Sequence, residues 1–80
     1  MATSIAIVAD ELNDLLLRTG ENVMTLTWKE FYELSNRERI KDAFKIELAA
    51  RLREHGLLIG FGSAVVLIAK DYKFQPIKLS

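Results

Sequence analysis

The chain has 80 residues, a formal net charge of zero and 50% hydrophobic residues. This length predicts a single domain over residues 1–80 with one hydrophobic core. The absence of cysteine excludes disulfides and thiolate metal sites. The longest apolar run, residues 64–69, is too short to span a bilayer. We therefore expect a cytoplasmic protein that has no membrane segment.

A helix and a short strand are the first predicted elements. Apolar residues recur at helical spacing from Ile5 to Leu16, which predicts a helix over residues 4–18, and Thr19-Gly20 ends it. Residues 23–27 are rich in strand-forming residues and predict a short edge strand.

The second predicted helix begins with a capping box. Thr27 and Glu30 have the required spacing, and Leu26 can pack on Phe31 as a hydrophobic staple. Three aromatic residues share one face of this helix and should fill the core between the first and third helices: Trp28, Phe31 and Tyr32.

A longer third helix is predicted over residues 36–55, after a turn of about three residues. Ser35 and Glu38 have the spacing of another capping box, and Gly56 supplies a left-handed residue at the other end. We expect His55 to bond the last carbonyls of this helix. An apolar stripe at helical spacing should face the core: Ile40, Phe44, Leu48 and Leu52.

The opposite side of the third helix combines apolar residues with cations. Ile46 lies about 160° to 200° from Phe44 and Leu48, so it cannot share their core unless another element covers it. With Ala49 and Ala50, it predicts a contact surface for a protein partner or for a second copy in a homodimer.

Cations also begin the predicted third helix, where the helix dipole disfavours them. Arg37, Arg39 and Lys41 lie in its first turns, and Lys45 follows one turn later. Cations at the start of a helix that enters a DNA groove can contact phosphates and guanine, which favours DNA binding. The alternative is an ordinary solvated face on which neighbouring acids neutralise them.

After Gly56 the period becomes extended, which predicts a β-hairpin of residues 57–61 and 64–70. A type II′ turn at Gly62-Ser63 would oppose Phe61 to Ala64, Ile59 to Val66 and Leu57 to Ile68. Both faces of this hairpin are apolar. The face turned away from the helices needs a cover, for which the candidates are the tail 72–79, the strand near residue 25, or another chain.

The charge distribution is uneven although the total is neutral. Residues 1–33 carry a net charge of −4 and residues 34–80 a net charge of +4. This asymmetry is compatible with an anionic partner for the second half, and equally with chance in a short chain.

The predicted fold class is α+β, with three helices followed by a hairpin. The order helix, short strand, helix, turn, longer helix, hairpin resembles the winged helix-turn-helix superfamily. That resemblance implies a regulator of transcription that inserts the helix 36–55 into the major groove of duplex DNA, with the hairpin as the wing. The implied DNA-binding residues are Arg37, Arg39, Lys41, Lys45 and Arg53.

A second function class is a protein-interaction module or inhibitor, because winged helices also serve that role. It would use the apolar hairpin and the Ile46 side of the third helix. We do not expect an enzyme, a metal site or a cofactor, since His55 is the only histidine and the serines are explained by caps, a turn and a terminus.

Overall fold

The computed structural model describes residues 3–74. Its first element, α1, spans Ile5–Thr19, within one residue of the predicted helix at each end. The Ser4 hydroxyl accepts from the N–H of Ile7 at 3.3 Å and caps its start, and Gly20 ends it with φ of 71°. One side of α1 is buried, through Val8, Ala9, Leu12 and Leu16.

The predicted short strand is confirmed as β1, Val23–Thr27, and it leads directly into α2, Trp28–Ser35. The predicted capping box is also confirmed. The Thr27 N–H donates to Glu30 Oε1 at 2.9 Å, and the Glu30 N–H donates to Thr27 Oγ1 at 3.1 Å. These two bonds satisfy backbone donors that the start of any helix leaves free.

The predicted start of the third helix is wrong. Ser35 is the last residue of α2, and its fully buried hydroxyl donates to the carbonyl of Phe31 at 2.9 Å. A hydroxyl that bonds back to its own helix does not cap the next one. Asn36 then turns the chain with φ of 54°, residues 37–41 are irregular, and α3 spans Asp42–Glu54.

The hairpin consists of β2, Leu57–Phe61, and β3, Val65–Lys70. The predicted register is wrong by two residues, because Phe61 opposes Val66 and Ile59 opposes Ile68. A type II′ turn needs positive φ at its first central residue, and Gly62 does not adopt it. The Gly62 N–H instead donates to the Val65 carbonyl at 2.9 Å, which leaves residues 63–64 as the turn. A shift of two preserves the face on which each side chain lies.

The three strands form one antiparallel sheet in the order β1-β3-β2. The strand β1 therefore extends the edge of the sheet and does not cover its outer face, which was one of the predicted alternatives. Val23, Leu58 and Val65 on that face are each about 40% exposed. The predicted cover by the tail falls mostly on residues 75–79, which lie outside the described residues.

The hydrophobic core lies between the inner face of the sheet and the three helices. Phe31, Leu48 and Leu52 are fully buried, and Phe44 is 6% exposed, as predicted. Leu26, Trp28 and Ile40 pack against this core and are partly buried. A short 3₁₀ helix, η1, Asp71–Lys73, follows β3, and the N–H of Asp71 donates to the Gly56 carbonyl at 2.9 Å. None of the helices described has the length and apolar character needed to cross a membrane.

Candidate interaction surface

The helix α3 packs into the protein along one side. Phe44, Leu48 and Leu52 recur every four residues on that side, and all three are buried. At 100° per residue, the opposite side presents side chains to solvent. We call this opposite side the outer face of α3. It consists of Asp42, Ile46, Ala49, Ala50 and Arg53.

Ile46 is at the centre of the outer face. Its side chain is 71% exposed, the largest value among the large hydrophobic residues in the described part of the chain. Ala49 is partly buried and Ala50 is exposed, and their small side chains leave Ile46 projecting. The predicted orientation of Ile46, away from the core stripe, is therefore confirmed. The partner that would cover it stays a prediction.

The cations predicted for the first turns of α3 lie outside it. Arg37, Arg39 and Lys41 belong to the irregular connection between α2 and α3, because α2 continues through Ser35. The connection is six residues long, so the predicted turn of three residues is also wrong. These cations consequently do not form a row on the surface of one helix.

Arg37 is held by other parts of the protein. Its Nη2 donates to the carbonyl of Thr3 at 3.3 Å, and its guanidinium carbon lies 4.2 Å from the centre of the Phe44 ring. The side chain is partly buried, and Nε has no hydrogen-bond partner in the structure. Arg37 thus fixes the connection against the start of α1, and its contribution to DNA binding stays a prediction.

Arg39 and Lys41 are exposed beside the start of α3. With Arg37, Phe44 and Glu47 they line a shallow cavity of about 320 Å³. Lys41 precedes α3 without a side-chain cap, so the first backbone N–H groups of α3 have no such acceptor. Cations and acids are mixed at this end of α3. Arg39 and Lys41 are exposed, and so are the acids Glu38, Asp42 and Glu47, of which Asp42 lies in the first turn of the helix.

Lys45 and Arg53 lie on α3 itself. Lys45 Nζ is 5.3 Å from the centre of the Phe61 ring and 5.8 Å from that of Trp28, so Lys45 points toward the hairpin. Trp28 is fixed in turn by its Nε1, which donates to the Gly62 carbonyl at 2.8 Å. Arg53 is exposed in the last turn of α3, on the outer face.

His55 does not bond the last carbonyls of α3 through its ring, contrary to the prediction. Its Nε2 lies 3.1 Å from Asp10 Oδ1, which links the end of α3 to α1. Gly56 ends the helix with φ of 73°, as predicted. The contact with Asp10 spans 45 residues and follows from tertiary packing, so no local pattern in the sequence reveals it.

The exposed residues of α3 and of the connection before it form surfaces that a partner could contact. Among residues 3–74, no three His, Asp or Glu side chains converge to form a metal site. Comparisons with protein-family models, with curated proteins and with solved structures each gave no significant match.

Proposed function

We propose that this protein is a non-enzymatic protein-interaction module with a winged-helix-like architecture, which binds its partner through the outer face of α3. The exposure of Ile46, 71%, is the observation that carries the proposal. A protein partner that covers this side chain would remove apolar surface from water, which is the main driving force for association.

The charges of the outer face suit a protein partner better than DNA. It carries one acid, Asp42, and one base, Arg53, with Ile46 between them. A surface that reads duplex DNA must neutralise several phosphates, and an acid on it opposes this. Protein interfaces in contrast have an apolar centre and a polar rim of mixed charge.

The order of elements supports the winged-helix part of the proposal. The described chain has the order helix, strand, helix, helix, hairpin, in which α3 takes the place of the recognition helix. Because one fold can serve several functions, we base the choice between DNA and protein as the partner on the surface of α3. A cytoplasmic location is part of the proposal, and cell fractionation of the tagged protein tests it.

The test replaces Ile46 by Glu, which puts a charge at the centre of the outer face. We expect Ile46→Glu to abolish binding of the partner. The melting temperature should stay nearly unchanged, because the Ile46 side chain is already mostly exposed to water. Leu17→Glu is the matched control, since Leu17 is 57% exposed and lies on another helix, α1.

The partner is captured with the tagged wild type, identified by mass spectrometry, and recombined with the pure protein to measure its affinity. The proposal fails if Ile46→Glu binds that partner as tightly as Leu17→Glu does. It also fails if Ile46→Glu unfolds the domain, because this side of α3 would then be part of the core.

A second candidate function is binding of duplex DNA, as a regulator of transcription. The observation in its favour is the start of α3, where Arg39 and Lys41 are exposed and the N-cap residue makes no side-chain hydrogen bond to the backbone N–H groups. Uncapped helix starts bind phosphate readily. Mobility of nonspecific duplex DNA at low salt tests this candidate, and free DNA at every protein concentration rejects it.

A further inference from the structure

We propose that the partner of the outer face of α3 is a second copy of this chain, with the two α3 helices packed antiparallel across a two-fold axis. This inference rests on the proposed function, because it names the partner of that same surface. A two-fold interface brings one patch against itself, so the patch must be self-complementary. The outer face of α3 meets that requirement in charge and in shape.

The charges of the outer face are opposite at its two ends. Asp42 is the first residue of α3, and Arg53 lies eleven residues later on the same side. Both side chains are exposed, and neither belongs to an ion pair among the described residues. Each also suits the dipole of its own helix, an acid at the start and a base in the last turn. In an antiparallel pair, the acid of each copy lies beside the base of the other.

The shape of the outer face fits the same arrangement. With Asp42 level with Arg53 of the second copy, Ile46 is level with Ala49 of the second copy. The two Ile46 side chains are then offset by about 5 Å along the axis, since each lies one and a half residues from the midpoint. Ala49 and Ala50 provide space for the opposing Ile46, and small residues allow two helix axes to approach to about 8 Å.

The size of the outer face predicts a weak dimer. The helix α3 has 13 residues and is therefore about 20 Å long. Five side chains over that length bury less area than a standard interface of about 800 Å² per partner. We therefore expect association that depends on concentration, with a dissociation constant in the micromolar range or weaker.

The test exchanges the charges and measures the solution mass by sedimentation equilibrium over a concentration series. Asp42→Arg alone and Arg53→Asp alone each place like charges opposite one another, so each variant should dissociate at least tenfold more readily than the wild type. An equimolar mixture of the two variants should associate again, because every introduced charge then faces its opposite. The double variant, Asp42→Arg with Arg53→Asp, should also associate.

Arg51→Asp is the matched control. It makes the same charge change two residues before Arg53. Arg51 lies off the outer face, and its Nη1 is 3.8 Å from Glu54 Oε2. Its dissociation constant should stay within about twofold of the wild-type value. Circular dichroism of each variant verifies the fold, and the recovery of dimer in the mixture is a result that unfolded variants cannot produce.

Three results would overturn the inference. If the wild type remains a monomer at the highest concentration while Ile46→Glu abolishes binding of another protein, the second copy is the wrong partner and the proposed function stands. If the wild type dimerises but Ile46→Glu, Asp42→Arg alone and Arg53→Asp alone all leave that dimer intact, the dimer uses another surface. Loss of DNA binding by the same variants without any change in mass would likewise reject the second copy.

Discussion

Replacement of Phe44 by Ala should remove a large part of the stability of this domain. The Phe44 ring is 6% exposed, and its centre lies 6.3 Å from that of Phe31 at an angle of 60°. The Arg37 guanidinium covers another part of the ring at 4.2 Å. Truncation of a buried Phe typically costs about 3 to 5 kcal/mol. A domain of this size has about 4 to 12 kcal/mol in total.

The contributions to this loss can be separated with a second substitution. Phe44→Leu keeps most of the apolar volume but removes the aromatic ring, which Arg37 and Phe31 both contact. The contacts that require a ring are worth about 0.5 to 1.5 kcal/mol each. We therefore expect Phe44→Leu to cost about 1 to 3 kcal/mol, which is less than the cost of Phe44→Ala.

Urea unfolding measures these differences, with Trp28 fluorescence and circular dichroism as independent probes. Trp28 is a suitable reporter because it packs against Phe31 with ring centres 5.8 Å apart. Phe74→Ala is the control, since Phe74 is 51% exposed, and it should change the free energy of unfolding by less than about 1 kcal/mol. The reasoning is refuted if Phe44→Ala falls in that same range.

Three further predictions concern backbone conformation, pH and DNA. Gly56→Ala should cost about 1 to 2 kcal/mol of unfolding free energy, because φ is +73° and the new Cβ would lie 3.2 Å from the Tyr72 ring. Gly20→Ala is the control in the same urea titration, and it should cost less because Gly20 has φ of +71° but open space around it. The Glu30 carboxylate accepts hydrogen bonds from the backbone N–H and from the hydroxyl of Thr27, and these bonds lower its pKa. The stability that they give the folded domain is therefore complete above the ordinary glutamate pKa of about 4.3, and it is lost as the pH falls through the lowered pKa. Glu30→Gln should therefore remove part of the acid dependence of the melting temperature, and unchanged dependence would contradict this. If duplex DNA binds, Arg39→Gln with Lys45→Gln should reduce the salt slope of the affinity by about one per lost phosphate contact, and an unaltered slope in a mobility-shift titration would exclude both residues from the contact.

Local patterns predicted the elements whose boundaries depend on neighbouring residues. The spacing of Val8, Leu12 and Leu16 gave α1 nearly to the residue, and the capping box of Thr27 and Glu30 gave the start of α2, because both signals act within four or five positions. The same spacing at Ser35 and Glu38 failed. There, burial of Ser35 and its bond to the Phe31 carbonyl extend α2, and no local pattern registers that competition.

Sequence periodicity located the outer face of α3 but misjudged the cations beside it. Ile46 is exposed as its helical phase predicted, since the phase relative to Phe44 does not depend on where the helix begins. The predicted position of Arg37, in the first turn of α3, did depend on where that helix begins. Once the connection leaves the helix, Arg37 reaches Thr3 and the Phe44 ring, two contacts that only the tertiary arrangement provides.

The position of β3 at the centre of the sheet makes the order of synthesis important for this chain. Within residues 3–74, both β1 and β2 pair only with β3, and β3 is the last of these three strands to be synthesised. Val23 pairs with Ala69, which lies more than forty residues later in the chain, so β1 is synthesised long before the strand with which it forms hydrogen bonds. A chain that stops before Val65 therefore has two unpaired strands and no sheet, and such strands readily join other chains. Premature termination should consequently yield an aggregating fragment and not a smaller folded domain.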